Sequence, residues 1–508
     1  MRKEVATRSS VGKAIALGAA WTLSVQFVVR SIGVVSTLIL ARLLTPADFG
    51  VYGLAMSVYA FVELIRAFGF GAALIQNRQA TDAHYNTAWT MHFLFSLVSA
   101  LLLYFSAPYA AEFLNEAKLE PVVQFLCLLF LVDGLKNIGL VNFQKHMTFH
   151  KEFRLNVIVK LCGFFVTIPL AFLLKSYWAM LWGLLISSAV LVALSYVMQP
   201  YRPWFTLSHW RELMSFTMWL QLNNFLSYFN RNIENFLVSR ILGVAAVGSL
   251  RLAKESGNLL GEITQPINRV SYPGYAKVNN DPAKVMEVFQ DVMGIMMVAG
   301  FMVAIGIFSI AHLMVPTLLG SKWLDIIPLV KGFAAITLIR VWIGNTNNVL
   351  VALGRQKLAT VVVAIRLLVF VILLNFLLPE FGLIGVVYAS FIAMSTVSLV
   401  SFSLLRANIK LPLRTVLYIL AKPALASVVM FMVIQLLFPV HWADSSFIVQ
   451  LVQLILSVIC GASVYILVLG LLWLLESRPE GPETNLLRII DKRVGFVGFL
   501  LPRKNGGA

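Results

Sequence analysis

Long apolar runs, separated by short polar segments, dominate the chain. A run of about 20 apolar residues crosses the roughly 30 Å hydrocarbon core of a bilayer as one helix. The pattern predicts an all-α polytopic membrane protein with about fourteen transmembrane helices. These cover residues 14–41, 48–70, 84–107, 119–141, 154–174, 177–198, 213–240, 246–270, 291–311, 327–352, 357–377, 382–405, 416–438 and 446–475. A more polar tail, 476–508, follows them.

Composition supports a membrane protein and excludes two other classes. Of the 508 residues, 59% are hydrophobic and only 12% are charged, about half the charged fraction of soluble domains. Neither a water-soluble enzyme nor a disordered chain has this balance. The net charge of +17 would by itself suggest nucleic acid. Most of it falls in short loops between spans, where it acts as an orientation signal, so no nucleic-acid partner is expected.

The loop charges predict the orientation of the chain in the membrane. Lys and Arg concentrate on the side that carries both termini, which is therefore the cytoplasmic side. The opposite side carries few basic residues, namely Arg42, Lys118, Lys175, Arg240 and Lys322. No small-residue cleavage site follows a short apolar core near the amino terminus, so no removable signal peptide is expected.

The sequence contains no recognisable catalytic or metal motif. A Walker phosphate loop, HExxH and GxSxG are all absent, so no catalytic residue, metal ligand or ATP-driven activity is expected. Cys127, Cys162 and Cys460 match no zinc or redox spacing and are predicted to be buried free thiols. Most of the seven histidines lie at span ends, where solvated side chains are expected.

An internal repeat predicts two lobes. Arg42, Leu44, Gly50, Leu54 and Ala55 recur 198 positions later as Arg240, Leu242, Gly248, Leu252 and Ala253. An offset of six spans preserves orientation, so the lobes would be related by an axis along the membrane normal. The predicted division is an N-lobe (1–212), a C-lobe (213–412), two further helices (413–475) and a cytoplasmic tail (476–508). Paired lobes favour alternating access with a site between them.

Charged residues inside the spans indicate a cationic interior. Such residues are costly in lipid and face the protein interior or a water-filled cavity. Ten are basic (Arg30, Arg66, Lys136, Lys160, Arg231, Arg251, Lys254, Lys331, Arg340 and Arg366), and five are acidic (Glu63, Asp133, Glu234, Glu255 and Glu262). A structural alternative remains open for the pairs three or four residues apart, which can neutralise each other on one helix face. These are Glu63 with Arg66, Asp133 with Lys136, Arg231 with Glu234, and Arg251 with Glu255.

Arg30 has no acidic residue in its own span and lies on a polar stripe with Gln26, Gly33 and Thr37. The seventh span carries a similar stripe, and the repeat offset puts Arg30 within one helical turn of the position of Arg231. We predict a cationic cavity that binds an anionic substrate, because guanidinium donors match phosphate oxygens. Its predicted residues are Gln26, Arg30, Asn224, Arg231, Asn235, Arg251, Lys254, Arg340 and Arg366. Hydrogen bonding between helices is an alternative role for the Asn residues.

Three segments carry a family resemblance. Residues 44–52 (Leu-Thr-Pro-Ala-Asp-Phe-Gly-Val-Tyr), 68–76 (Phe-Gly-Phe-Gly-Ala-Ala-Leu-Ile-Gln) and 352–357 (Ala-Leu-Gly-Arg-Gln-Lys) resemble the Wzx-like oligosaccharide flippases of the MOP exporter superfamily. Ala67 departs from the family, in which Asp is frequent at this point.

The resemblance implies movement of undecaprenyl-diphosphate-linked oligosaccharide units across the bacterial inner membrane by alternating access. The product would be exopolysaccharide, capsule or lipopolysaccharide, with polymerase and export proteins as partners. No cofactor is expected. H⁺ or Na⁺ would couple transport through Glu63, Glu234, Glu255 and Glu262.

Two other functions remain open from the sequence. A MATE-like antiporter exchanges cations for multidrug substrates, but cationic drugs favour carboxylate-lined cavities, and the first span contains no acid. A non-transporting scaffold for a polymerase or glycosyltransferase has little need of charged stripes inside the membrane.

Overall fold

The computed structural model describes residues 2–66, 69–77, 79–258, 271, 273–439 and 446–476, and every regular element within these ranges is a helix. The side chains of residues 2–20, 22, 23, 72, 215–224, 226 and 227 lie outside the description. The chain divides into two compact units, Met1–Arg251 and Leu252–Ala508.

The first unit contains nine complete helices in the described part of the chain and the start of a tenth. They are α1 (Arg2–Leu43), α2 (Pro46–Glu63), α3 (Phe70–Gln76), α4 (Asp82–Phe113), α5 (Leu119–Gly134), α6 (Val141–Lys145), α7 (Phe149–Leu174), α8 (Trp178–Met198), α9 (Trp210–Leu242) and the start of α10 (Val244–Gly257). Helix α4 packs on α5, α7 packs on both α1 and α8, and α2 packs on both α5 and α9.

The second unit contains the end of α10 and six long helices. They are α11 (Pro282–Met314), α12 (Ile327–Ala352), α13 (Gln356–Phe381), α14 (Leu383–Ile409), α15 (Leu413–Leu437) and α16 (Phe447–Leu475). Helix α11 packs on α12 and α15, α13 packs on α14, and α15 packs on α16. A π-helical turn and a 3₁₀ segment connect α11 to α12 (Val315–Leu319 and Ser321–Ile326).

The structure confirms the all-α, multi-pass prediction. In the described residues, ten helices are long and apolar enough to cross a membrane, or eleven if one bent pair counts as a span. The expectation of one continuous helix over 119–141 was wrong, because the chain bends by 67° between Gly134 and Ile138. The predicted spans 48–70, 213–240 and 246–270 correspond to α2, α9 and α10, so fourteen spans are consistent with this structure. Residues 67–68, 259–270 and the tail after 476 lie outside the description.

A capping box fixes the start of α2. Thr45 Oγ1 accepts a hydrogen bond from Asp48 N at 3.3 Å, and Asp48 Oδ2 accepts one from Thr45 N at 2.9 Å. Pro46 occupies the first turn, where its missing N–H costs nothing. Asp48 Oδ1 also accepts from Tyr177 N at 3.2 Å, beside the start of α8. The Thr-Pro-Ala-Asp segment therefore sets where α2 begins.

Asp281 caps α11 in a related way. Its Oδ1 accepts hydrogen bonds from the backbone N–H groups of Lys284, at 3.4 Å, and Ala283, at 3.1 Å. The hydrogen bond from Lys284 N is the largest cause that lowers the pKa of Asp281, and the bond from Ala283 N adds to it. Both bonds favour the ionised carboxylate. Pro282 follows in the first helical turn.

Two glycines bring α7 and α8 together. A Cβ added at Gly163 would overlap Ser187 Oγ, and a Cβ added at Gly183 would overlap Thr167 Oγ1. Small residues are typical of helix contacts in membranes, where packing rather than the hydrophobic effect drives association.

Because this contact has no room for a side chain, Gly163→Leu and Gly183→Leu should each destabilise the protein by about 1–3 kcal/mol through overpacking. We expect the temperature at which half of the detergent-purified protein aggregates to fall by several degrees. Gly470→Leu is the matched control, since among the described residues no atom lies within 4 Å of its added Cβ. An equal loss in the control would contradict the packing argument.

Candidate functional site

The two copies of the repeat have the same local structure. Helix α1 ends at Leu43 and α2 begins at Pro46, while α9 ends at Leu242 and α10 begins at Val244. In both copies a long helix is broken by one or two residues and a second helix starts. Pro46 and Val244 are themselves separated by the repeat offset of 198.

The repeated glycines form the crossing point of α2 and α10. A Cβ added at Gly50 would overlap the carbonyl oxygen of Val244, and a Cβ added at Gly248 would overlap the carbonyl oxygen of Pro46. The added Cβ at Gly248 would also lie 2.8 Å from Gly50 N. Because both contacts join residues related by the same offset, they are two views of one isologous contact. The two backbones touch there, which explains why the repeat keeps these glycines.

Polar side chains continue from this crossing along α2. The Arg251 guanidinium lies 5.0 Å from the centre of the Tyr52 ring. Asn235 Nδ2 donates to Ser57 Oγ at 3.0 Å, and the Tyr228 hydroxyl donates to the Ser57 carbonyl at 2.8 Å. Asn235, predicted as a cavity residue, forms a hydrogen bond between helices in this structure, which is the alternative role that the sequence left open.

The other predicted residues of the first unit lie on α1 and α9. Arg30 is exposed and Gln26 is half-buried on α1, while Arg231 is exposed and Glu234 is half-buried on α9. The side chain of Asn224 lies outside the description.

The α1 polar stripe faces α7, because a Cβ added at Gly33 would lie 3.7 Å from Lys160 Nζ. Lys160 is therefore a second basic group close to the face of Arg30. It was recognised as an intramembrane charge but was not included among the predicted cavity residues.

In the second unit, α10 and α12 bring two predicted basic residues onto neighbouring helices. Lys254 Nζ lies 5.3 Å from the centre of the Phe333 ring, and Arg340 Nη1 donates to Asn258 Oδ1 at 2.8 Å. Glu255 on α10 and Arg366 on α13 are half-buried. Glu262 lies outside the described residues.

A buried ionic cluster joins the inner ends of α2 and α5 as the charge pattern orients them. Arg66 Nη2 contacts Glu63 Oε1 at 3.1 Å, and Lys136 Nζ contacts Asp133 Oδ1 at 3.2 Å. These two predicted pairs are confirmed. A third link was not predicted, because it joins α5 to the turn after α2: Arg66 Nη1 contacts Asp133 Oδ2. The Arg66 side chain is only 9% exposed and lies over the Phe130 ring.

His92 completes this cluster from α4. Its Nε2 atom lies 3.2 Å from the carbonyl oxygen of Asp133 and 3.6 Å from its Oδ2. The expectation of solvated span-end histidines was wrong for His84, which is buried and lies 3.4 Å from Glu212, and it did not cover His92. His92 could have been recognised from its position, more than two turns inside the predicted span 84–107.

A second ion pair connects α15 to the end of α16. Lys422 Nζ contacts Glu476 Oε2 at 2.7 Å, and the Tyr418 hydroxyl donates to the same oxygen at 2.9 Å. The hydrogen bond from Lys422 lowers the pKa of Glu476. Lys422 lies inside α15 and is buried, so it packs within the protein rather than lying in a loop.

The described residues contain no group of three or more His, Cys, Asp or Glu side chains that could hold a metal ion. All three cysteines are free thiols. Cys127 is buried as expected, whereas Cys162 and Cys460 are half-buried.

Long apolar helices, with charges and amides at their contacts, define an all-α multi-pass membrane protein. The profile of the family described as "Polysaccharide biosynthesis protein" matches residues 39–328, more than half of the chain. The chain belongs to this family.

Relatives and solved structures agree with this assignment. The lipopolysaccharide biosynthesis protein WzxC of Escherichia coli (strain K12) is 24% identical over 348 residues, covering 67% of this chain and 70% of WzxC. The lipid II flippase MurJ, in an inward closed conformation, superimposes with a TM-score of 0.70 at 15% identity over 89% of this chain and 98% of MurJ. An inward-facing MATE family transporter of the MOP superfamily superimposes with a TM-score of 0.59 at 14% identity, over 77% of this chain and 98% of the transporter. The predicted MOP fold is confirmed.

Because Arg66 and Asp133 are buried together, removing one partner leaves an uncompensated charge that costs about 3–5 kcal/mol. Arg66→Gln and Asp133→Asn should therefore each lower the thermal stability of the detergent-purified protein markedly. The double variant Arg66→Met with Asp133→Leu should recover part of the loss. Lys284→Gln, which breaks an exposed pair with Asp281, should change stability little. Additive losses in the double variant would contradict the pairing.

Proposed function

We propose that this protein is a flippase, not an enzyme, and that it moves undecaprenyl-diphosphate-linked oligosaccharide units from the inner to the outer leaflet of the cytoplasmic membrane. The observation that carries the proposal is the set of basic side chains on membrane-helix faces. Arg30 and Lys160 belong to α1 and α7, and Lys254 and Arg340 belong to α10 and α12. The lipopolysaccharide role in the name of WzxC supports a lipid-linked saccharide as substrate.

The chemistry of these groups suits a diphosphate. Arg presents a planar fork that can bind two phosphate oxygens, and Lys contributes a compact positive charge. The Phe333 ring and the Asn258 amide hold Lys254 and Arg340 in position. A negatively charged head group that moves toward the positive outer face gains about 2.3 kcal/mol per charge per 100 mV. Arg231, Arg251, Arg366, Gln26 and Asn224 complete the proposed cationic cavity.

The proposal also includes the membrane location, the lobes, the partners and the coupling ion of the protein. The protein lies in the bacterial inner membrane with both termini in the cytoplasm, as the loop charges indicate. It works as two six-span lobes, 1–212 and 213–412, with two further helices over 413–475. The polysaccharide polymerase and export proteins are its partners. H⁺ or Na⁺ drives transport, with Glu63, Glu234, Glu255 and Glu262 as candidate coupling residues.

A MATE-like exchange of cationic drugs has weaker support. A fold likeness to a MATE transporter carries no substrate information at 14% identity. Two intramembrane carboxylates that could have served a cationic drug, Glu63 and Asp133, are ion-paired with Arg66 and Lys136.

We further propose that the α2–α10 crossing closes the outer side of the transport path. The loop charges place Arg42 and Arg240, and with them the starts of α2 and α10, near the outer surface. At Gly50 and Gly248 the two backbones touch without intervening side chains. Such a contact gives a tight seal, and it can part without breaking a buried ion pair.

Because Arg30 should bind the diphosphate, Arg30→Ala is expected to abolish outward movement at normal protein level. The measurement is the leaflet location of lipid-linked sugar, in inverted and right-side-out vesicles, probed with an impermeant lectin. Cells depleted of the protein should accumulate the sugar on the cytoplasmic face. The intact gene and Arg406→Ala, at the exposed end of α14, should both reverse this accumulation. Full activity of Arg30→Ala would exclude this residue from the site.

Because even one methyl group at Gly50 or Gly248 would overlap a backbone carbonyl, Gly50→Ala and Gly248→Ala should hold the crossing open. In protein without native cysteines, a Tyr52→Cys reporter should then react several-fold faster with an impermeant maleimide added outside. Gly306→Ala is the control, since none of the described atoms lies within 4 Å of its added Cβ. Unchanged labelling in both glycine variants would refute the outer closure.

A further inference from the structure

Three elements meet at the buried cluster around Asp133. The inner end of α2 and the turn after it contribute Glu63 and Arg66, α4 contributes His92, and the end of α5 and its following turn contribute Asp133 and Lys136. Asp133 is the centre, because both cations and the imidazole contact it. The 67° bend of the chain follows directly, between Gly134 and Ile138.

The contacts of His92 show which ring nitrogen is able to take up a proton. Nε2 lies 3.2 Å from the carbonyl oxygen of Asp133. A carbonyl can only accept, so Nε2 carries a hydrogen in this arrangement. In the neutral ring Nδ1 is then the unprotonated nitrogen, and a further proton binds there. The resulting imidazolium would lie beside the Asp133 carboxylate, with Nε2 3.6 Å from Oδ2.

The charges of the cluster make the protonation of His92 depend on the position of Arg66. With Glu63 and Asp133 ionised and Arg66 and Lys136 charged, the four groups sum to zero. A proton on His92 adds a positive charge to a mostly buried site, which is unfavourable while both cations remain in place. If Arg66 moves away from Asp133, the carboxylate keeps Lys136 as its cationic partner, the cluster has one negative charge in excess, and the imidazolium can replace the guanidinium. Proton binding and the Arg66–Asp133 contact therefore oppose each other.

Helix α2 connects this cluster to the glycine crossing. The helix has 18 residues, about 27 Å at 1.5 Å per residue. Gly50 lies in its first turns and Arg66 follows its last turn. A displacement of the rigid helix at the crossing therefore reaches Arg66. If α2 moves as one rigid body, a change at either site changes the other by linkage.

We propose that His92 and Asp133 form a proton-binding site that drives transport by proton exchange. The proton binds His92 Nδ1 when Arg66 separates from Asp133, and it leaves when the pair re-forms. Protons run inward under an acid-outside gradient while saccharide moves outward, so the coupling is an exchange. This inference rests on the proposed flippase function and adds the coupling ion and its site.

The test uses full-length purified protein in proteoliposomes with lipid-linked saccharide extracted from the host strain. The membrane potential is clamped with potassium and valinomycin, and the outer-leaflet fraction is read with an impermeant lectin. At equilibrium, one proton exchanged per saccharide and a gradient of one pH unit give about a tenfold accumulation in the acidic leaflet. This ratio does not depend on the orientation of the reconstituted protein.

His92→Gln keeps a hydrogen-bond donor for the Asp133 carbonyl but cannot bind the proton, and His92→Asn carries a shorter amide that cannot bind it either. Both should reduce the leaflet ratio to about one while still exchanging labelled for unlabelled saccharide. His312→Gln is the matched control, because His312 Nε2 lies 3.1 Å from the Phe438 carbonyl and forms no ion pair among the described residues. It should keep the tenfold ratio. If His92→Gln fails to purify as a monodisperse protein, His92→Asn carries the same test.

The other outcomes distinguish failure of the proton site from failure of the flippase function. A wild-type ratio in His92→Gln would overturn the proposal, and so would loss of saccharide exchange in a folded variant, because the ring would then serve binding or movement itself. A wild-type protein that equilibrates saccharide without responding to pH would overturn proton coupling and leave the flippase function standing. No saccharide movement by the wild-type protein would refute the proposed function itself.

Discussion

The absence of water from the hydrocarbon core is the constraint on which this structure depends. Each backbone N–H and C=O group in the core must find its partner within the protein, so the spans are helices. The same constraint acts on side chains, because a charge in hydrocarbon needs a partner or a wet cavity. Arg66, Asp133 and Lys136 meet this requirement by pairing, beside the bend between Gly134 and Ile138. The Asp133 carbonyl beside this bend accepts hydrogen bonds from Lys136 N and from His92 Nε2.

Glycine has two different roles at the helix contacts of this protein. Between α7 and α8, Gly163 and Gly183 face hydroxyl side chains of Ser187 and Thr167, and the contact packs two neighbouring helices of one sequential hairpin. Between α2 and α10, Gly50 and Gly248 face backbone carbonyl groups, and the partners are equivalent positions of the repeat. Because the touching backbones are equivalent positions of the repeat, α2 and α10 make the same contact with each other. That property suits a contact that forms and parts in a transport cycle better than one that only packs.

The sequence predicted the features that depend on local order along the chain. Hydropathy predicted the helices, and the repeat offset found the glycines that later proved to touch. Spacing found the pairs Glu63–Arg66 and Asp133–Lys136, because residues three apart share a helix face. Contacts between helices were missed. Arg66 with Asp133, and Lys160 beside the face of Arg30, depend on which face each helix presents, which a single sequence does not contain. The break after Gly134 was also missed, because residues 119–141 read as one apolar run.

The intramembrane charged residues form two groups, according to the kind of partner that the structure shows. Around Asp133, acids and bases alternate and sum to zero, so the cluster is stable only while its geometry holds. Arg251, Lys254 and Arg340 each contact an aromatic ring or an amide, and these contacts orient the cations. A balanced cluster responds to the gain of one proton, whereas an oriented cation attracts an anionic head group. Helix α2 lies next to both kinds of group, because Tyr52 contacts Arg251 near its start and Arg66 follows its last turn.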